Sequence, residues 1–180
     1  MGFLISGSTA ALQAGNLSGR RQSFIIVEEK SPGAVSSWDQ WVSPFLGWPN
    51  FVQAWVADVE YNYWQNAADP LLYTTVGRDR SGLKMKSNGQ PYPSERQIVD
   101  TSGTPGRWEF RKGYIEAIGS LMWIGENRES DLRALDWLHL TEPQKGILRV
   151  ASDFQFTDET MATRQNALRA AIYGSGQQNN

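Results

Sequence analysis

A serine and a lysine three positions apart, Ser81 and Lys84, are the residues in this chain whose types and spacing first suggest a reaction. In a Ser-x-x-Lys turn the amine can take the hydroxyl proton and leave an alkoxide for acyl transfer. The companion Ser-Asp-Asn and Lys-Thr-Gly elements are absent. The pair also falls in a stretch rich in turn residues, whereas a strained nucleophile needs a rigid support. The chain has no cysteine, which excludes disulfides, thiolate metal sites and a cysteine nucleophile. Its single histidine, His139, would have to serve any Ser-His-Asp triad, and a multi-histidine zinc site is impossible. His139 stands between Leu138 and Leu140, so in a strand it faces the opposite way to both. Asp58 and Glu60 are two apart and do not share a helical face. Together with Asp69 they could build a carboxylate metal site only through tertiary folding. There is no Gly-x-Ser-x-Gly elbow, Walker loop or Gly-x-Gly-x-x-Gly turn. The reading is therefore of no catalytic residue, no metal and no cofactor. Its alternative is a hydrolase using Ser81 and Lys84 or a carboxylate-bound metal.

The charge pattern points to contact instead. From Ser31 to Gly77 there is no lysine or arginine, yet five of the eight tryptophans lie there: Trp38, Trp41, Trp48, Trp55 and Trp64. The segment's charges are Asp39, Asp58, Glu60 and Asp69. Such a stretch repels phosphate and suits aromatic anchoring of a protein partner. Residues 77–112 are the counterpart, with eight cations against four acids. With aromatics as sparse as Tyr92, Trp108 and Phe110, they read as a solubilised loop. Residues 116–160 turn acidic again, with nine acids against four cations. An acidic surface is what an inhibitor of a basic, nucleic-acid-cleaving protein needs, because opposite charge speeds docking.

Several elements must position these groups. Ser23 to Glu29 reads as a strand, and residues 36–46 as a short helix capped by Ser36 or Ser37. The apolar spacing of Phe51, Val52, Trp55, Val56, Val59 and Tyr63 predicts a helix opening at Pro49. Asn88-Gly89 signals a type I′ hairpin within a long loop region, residues 74–107. Residues 107–124 fit strand or helix. A short helix is expected at 130–136, strands at 137–140 and 147–151, and a last helix capped by Thr157 and stopped by Gly174. The sum is an α+β fold, with a mixed or antiparallel sheet and packed helices, in a single domain over residues 1–173 with a disordered tail from 174 to 180. The apolar start at Phe3 breaks too early for a secretory signal, so a cytoplasmic protein is expected.

The run from Phe51 to Tyr61 belongs to a wider pattern. With Gly77-Arg78, Ser87-Asn88-Gly89, Pro105-Gly106-Arg107, Gly113 to Ala117 and Met122-Trp123-Ile124-Gly125, it resembles a group of bacterial immunity proteins. These accompany polymorphic or type VI secretion toxins, some with a restriction-endonuclease-like nuclease domain. The likeness spans residues 50–170. It implies a non-enzymatic antitoxin that binds and neutralises one cognate toxin, with no nucleic acid or membrane as partner. Where the group carries an aromatic pair after Met-Trp-x-Gly, this chain has Glu126-Asn127-Arg128. The residues expected to touch the toxin are Glu60, Tyr63, Trp64 and Asp69, then Glu126, Glu129 and Asp131. Oligomeric state is left open.

Overall fold

Leu121–Ile124 is one of the two inner strands of the main sheet, and its alternation sets the architecture. The computed structural model describes residues 4–6, 10–16, 23–29, 37–111, 113–125 and 129–174. In chain order the strands are β1 (Leu4–Ser6), β2 (Ala10–Asn16), β3 (Ser23–Glu29), β4 (Gln53–Val56), β5 (Met85–Ser87), β6 (Gln97–Val99), β7 (Glu109–Phe110), β8 (Ile115–Glu116), β9 (Leu121–Ile124), β10 (Leu138–Gln144) and β11 (Ile147–Ser152). The helices are α1 (Trp38–Leu46), α2 (Val59–Asn66), α3 (Pro70–Thr75), α4 (Glu129–Leu132) and α5 (Ala162–Tyr173), with one 3₁₀ turn at Glu159–Met161. The main sheet runs β10-β11-β9-β4 and every pairing in it is antiparallel. β1, β2 and β3 form an antiparallel meander, and β5–β6 and β7–β8 are short ribbons. The fold is α+β.

Successive β9 side chains enter different cores, as the period of two requires. Met122 and Ile124 pack with Val150, Leu168 and Ile172, which brings α5 onto one face. Trp123 packs with Leu46 and Ile147, with Trp38 and Val42 of α1 against them, on the other. A third cluster of Ala67, Tyr73 and Val99 lies beneath α2 and α3.

The helix expected from Pro49 to Tyr63 is instead β4 followed by α2. Phe51, Val52, Trp55 and Val56 carry a spacing that a helix can use, but they are also β-prone, and the free edge of β9 rewards pairing. Two glycines make that pairing possible. A Cβ on Gly119 would stand 2.2 Å from the Val56 carbonyl oxygen, and one on Gly125 would stand 2.8 Å from that of Phe51. Asp58 then restarts the chain as a helix, its carboxylate accepting from the Tyr61 N–H at 2.7 Å.

Other differences are smaller. β3 has the expected limits, and α1 starts at Trp38, with Ser37 at its cap position but no side-chain bond to the helix. Asn88 and Gly89 do not form a two-residue turn, because β5 and β6 are joined by residues 88–96. Between 107 and 124 the strand option holds, as β7, β8 and β9. Asp158, not Thr157, caps the final helical segment, because its shorter carboxylate turn reaches the Thr160 N–H at 2.8 Å. Gly174 ends α5 at φ 81°, as expected of a glycine there. The tail beyond it lies outside the described residues. Among the described residues no helix is long and apolar enough to cross a membrane.

Candidate functional site

Two carboxylates shape the region that carries the first four expected contact residues. Asp58 caps α2, and Asp69 caps α3 by accepting from the Leu71 N–H at 3.0 Å, with Pro70 at the first helical position. Asp39 is consumed as well: Arg149 of β11 grips it at 2.7 and 3.0 Å, through Nε and Nη2. Of the four acids in the cation-free segment, Glu60 alone makes no side-chain hydrogen bond or ion pair with a described residue. It stands exposed in the first turn of α2. The acids counted along the sequence are thus mostly used inside the fold.

The aromatics behave differently. Tyr63 is 48% exposed and meets the half-buried Trp64 edge-on, with ring centroids 5.1 Å apart. Trp64 continues to Tyr73 of α3 at 4.9 Å, and the Arg78 guanidinium lies over its ring at 4.6 Å. The Tyr73 hydroxyl donates to the Ala67 carbonyl at 3.1 Å, and burial raises its pKa above the ordinary value. Tyr63 is therefore the outermost ring of a supported row, and Trp64 is its bridge to the core. Exposed apolar side chains are frequent in the same stretch of sequence. Trp41, Trp48, Val52, Val59, Tyr63, Leu71, Leu72 and Val76 are eight of the eleven exposed large hydrophobic residues among the described ones, and all lie in the cation-free segment. Folding alone would bury such groups, and a concentration of them marks an interaction surface. Only the surplus of aromatics was legible beforehand.

The second expected surface is only partly described. Asp131 is exposed on α4 and Glu129 opens that helix, while Glu126 lies outside the described residues.

The reactive candidates are dispersed. The Ser81 hydroxyl donates to Asp79 at 3.0 Å, and the Ser81 N–H donates to the same carboxylate at 2.9 Å. Those bonds, the backbone one first, hold Asp79 below the usual carboxylate range. No hydrogen bond joins Ser81 to Lys84, so the lysine is not placed to activate it. His139 is exposed, as its alternation with Leu138 and Leu140 required, and pairs with Asp153 at 2.6 Å. Among the described residues no three of His, Cys, Asp and Glu are grouped to hold a metal ion.

A buried polar cluster escaped the sequence reading. Arg169 of α5, 6% exposed, donates to the carbonyls of Arg107 at 2.6 Å, Pro105 at 3.2 Å and Glu116 at 3.4 Å. The Glu116 carboxylate is 3.9 Å away. Burial, then the neighbouring Arg107 cation, lowers the Arg169 pKa to about 10. Glu116 also receives Arg111 at 3.1 Å, and Glu109 receives Arg107 at 2.6 Å. These groups knit α5 to the chain around residues 105–116. They offer no open position to a substrate. Family models, curated proteins and solved structures were each compared with the chain, and none matches.

Proposed function

We propose that this chain is a non-enzymatic, cytoplasmic immunity protein that binds a cognate secreted antibacterial toxin, a nuclease, and neutralises it by occlusion. One observation carries the reading: the exposed apolar surface coincides with the segment that has no cation. A toxin that handles nucleic acid presents a basic groove. A segment with exposed rings and no lysine or arginine of its own, the neighbouring Arg78 being engaged on Trp64, can lie against such a groove with little like-charge contact. Tyr63 is the anchor, Trp64 braces it, and Glu60 supplies the unspent charge. Asp69 acts through the α3 cap, which orients Leu71 and Leu72. Glu129 and Asp131, with Glu126, form the second acidic contact.

The test begins with the product of the gene adjacent to this one. The chain should co-purify with it and protect cells that express it. Glu60→Lys should then slow association several-fold at low salt while leaving dissociation nearly unchanged, as expected for a steering charge. Asp69 is left intact in this test, because replacing it removes a helix cap worth about 1 kcal/mol. A neighbouring product that the chain neither binds nor neutralises would overturn the reading.

A further inference from the structure

The most exposed large hydrophobic side chain among the described residues is not on α2 or α3. It is Tyr92, at 89% exposure, in the loop between β5 and β6. That loop is built rather than slack. Asn88 holds it across its base: its N–H donates to the Arg96 carbonyl at 2.9 Å, and its side-chain oxygen accepts from the N–H groups of Gln90 and Arg96, each at 3.2 Å. Its side-chain amide donates to the Ser94 carbonyl at 3.0 Å, and the Ser94 N–H donates to the Pro91 carbonyl at 2.9 Å. Pro91 and Pro93 flank the tyrosine and restrict the backbone on both sides. A ring held in this way loses little freedom when it enters a pocket.

The hairpin is rooted where the Tyr63 row is rooted. Val99 of β6, 3% exposed, belongs to the cluster with Ala67 and Tyr73, and its N–H donates to the Ala68 carbonyl at 2.8 Å. The charges on the hairpin are of the opposite sign. Lys86 is spent on Asp100 at 2.8 Å and Arg78 on the Trp64 ring. Arg80, Lys84 and Arg96 are exposed, and their side chains make no hydrogen bond or ion pair with a described residue.

We infer that the β5–β6 hairpin is a second arm of the grip, which seats Tyr92 in a concave, carboxylate-lined pocket of the same partner. The inference rests on the immunity reading and names the part of the toxin it engages. The α2–α3 surface suits a basic face, whereas the arm suits an acidic hollow. A metal-dependent nuclease has both, a cationic groove for phosphates around a carboxylate cluster that holds its metal. The arm thus enters the metal centre while the α2–α3 surface covers the groove beside it. Single-stranded nucleic acid could also stack on Tyr92, but such sites align several rings along a cationic groove. The arm has one ring.

The test uses the full chain and the adjacent gene's product, with binding kinetics and metal-dependent cleavage measured together. Tyr92→Ala should weaken binding by about 10- to 100-fold, mainly through faster dissociation, and should restore cleavage in parallel. Tyr92→Phe should retain most of the affinity. Reversing Arg80, Lys84 and Arg96 to glutamate should slow association several-fold at low salt, additively with Glu60→Lys. An unchanged melting temperature for each variant ties the effect to contact. If the wild type binds and Tyr92→Ala binds equally well, the arm is refuted and the immunity reading stands. If the wild type does not bind, both fall. Capture of a single-stranded oligonucleotide by the wild type that is lost in Tyr92→Ala would also overturn the inference.

Discussion

Around Arg169 a guanidinium is packed at 6% exposure among three backbone carbonyls and a carboxylate, whereas around Tyr63 apolar side chains stand in water. Leu71 and Val76, at 68% and 64% exposure, are the extreme cases there. Each region inverts the usual partition of polar and apolar groups. The first inversion is tolerable because both terminal nitrogens of Arg169 have found carbonyl partners, although its buried Nε has none. The second has no such internal compensation, and the proposed function gives it a use outside the chain.

The largest effect should come from breaking the buried side of this contrast. Arg169→Leu leaves the carbonyls of Pro105, Arg107 and Glu116 without this donor, and should cost about 3–5 kcal/mol of stability in urea denaturation. A cost below about 1 kcal/mol would mean that the buried cation is dispensable to the fold. Next comes the exposed side. Tyr63→Ala removes an edge-on ring contact and should cost about 1 kcal/mol or less, yet it should speed dissociation from the partner by about tenfold. A large stability loss with unchanged binding would turn Tyr63 into a core residue and erase the contrast.

The smallest effect concerns the root of the arm. The hydrogen bond from Lys86, then those from Ser102, hold Asp100 well below the usual carboxylate range. A folded-state pKa that is depressed contributes stability above the unfolded value of about 3.9, and that contribution is lost as pH falls through the folded value. Protection factors in β5 and β6, taken relative to the intrinsic exchange rate at each pH, should therefore fall below about pH 4. Asp100→Asn should make exchange faster at neutral pH and flatten that acid dependence. A wild-type arm whose protection does not change with pH would remove the role given to Lys86 and Asp100.

Much of the fold was legible where it depends on local pattern. The β-branched run of β3 and the Gly174 stop each carry their signal within a few residues. β4 was not legible, because its apolar spacing fits a helix when read alone and its partner β9 is distant in sequence. The candidate site was half legible. Tyr63 and Trp64 stood out as more rings than one helical face can bury, and Glu60 as an acid with nothing near to pair it. Asp69 looked like a contact residue because a cap and a free acid have the same letter. Tyr92 was passed over because exposure cannot be read from a residue and its neighbours, although the two flanking prolines marked a place where no strand could pair.

The sequence by itself determined the inventory: no thiol, one imidazole, and a long segment with rings and acids but no cation. Such properties survive any folding, because they are counts. Only the tertiary structure decided which of those groups are spent. Arg149 reaches Asp39 across 110 positions, Arg169 reaches Arg107 across 62, and Glu60 and Tyr92 are left over. Pairing is a matter of distance in space, and the order of residues along the chain does not contain it.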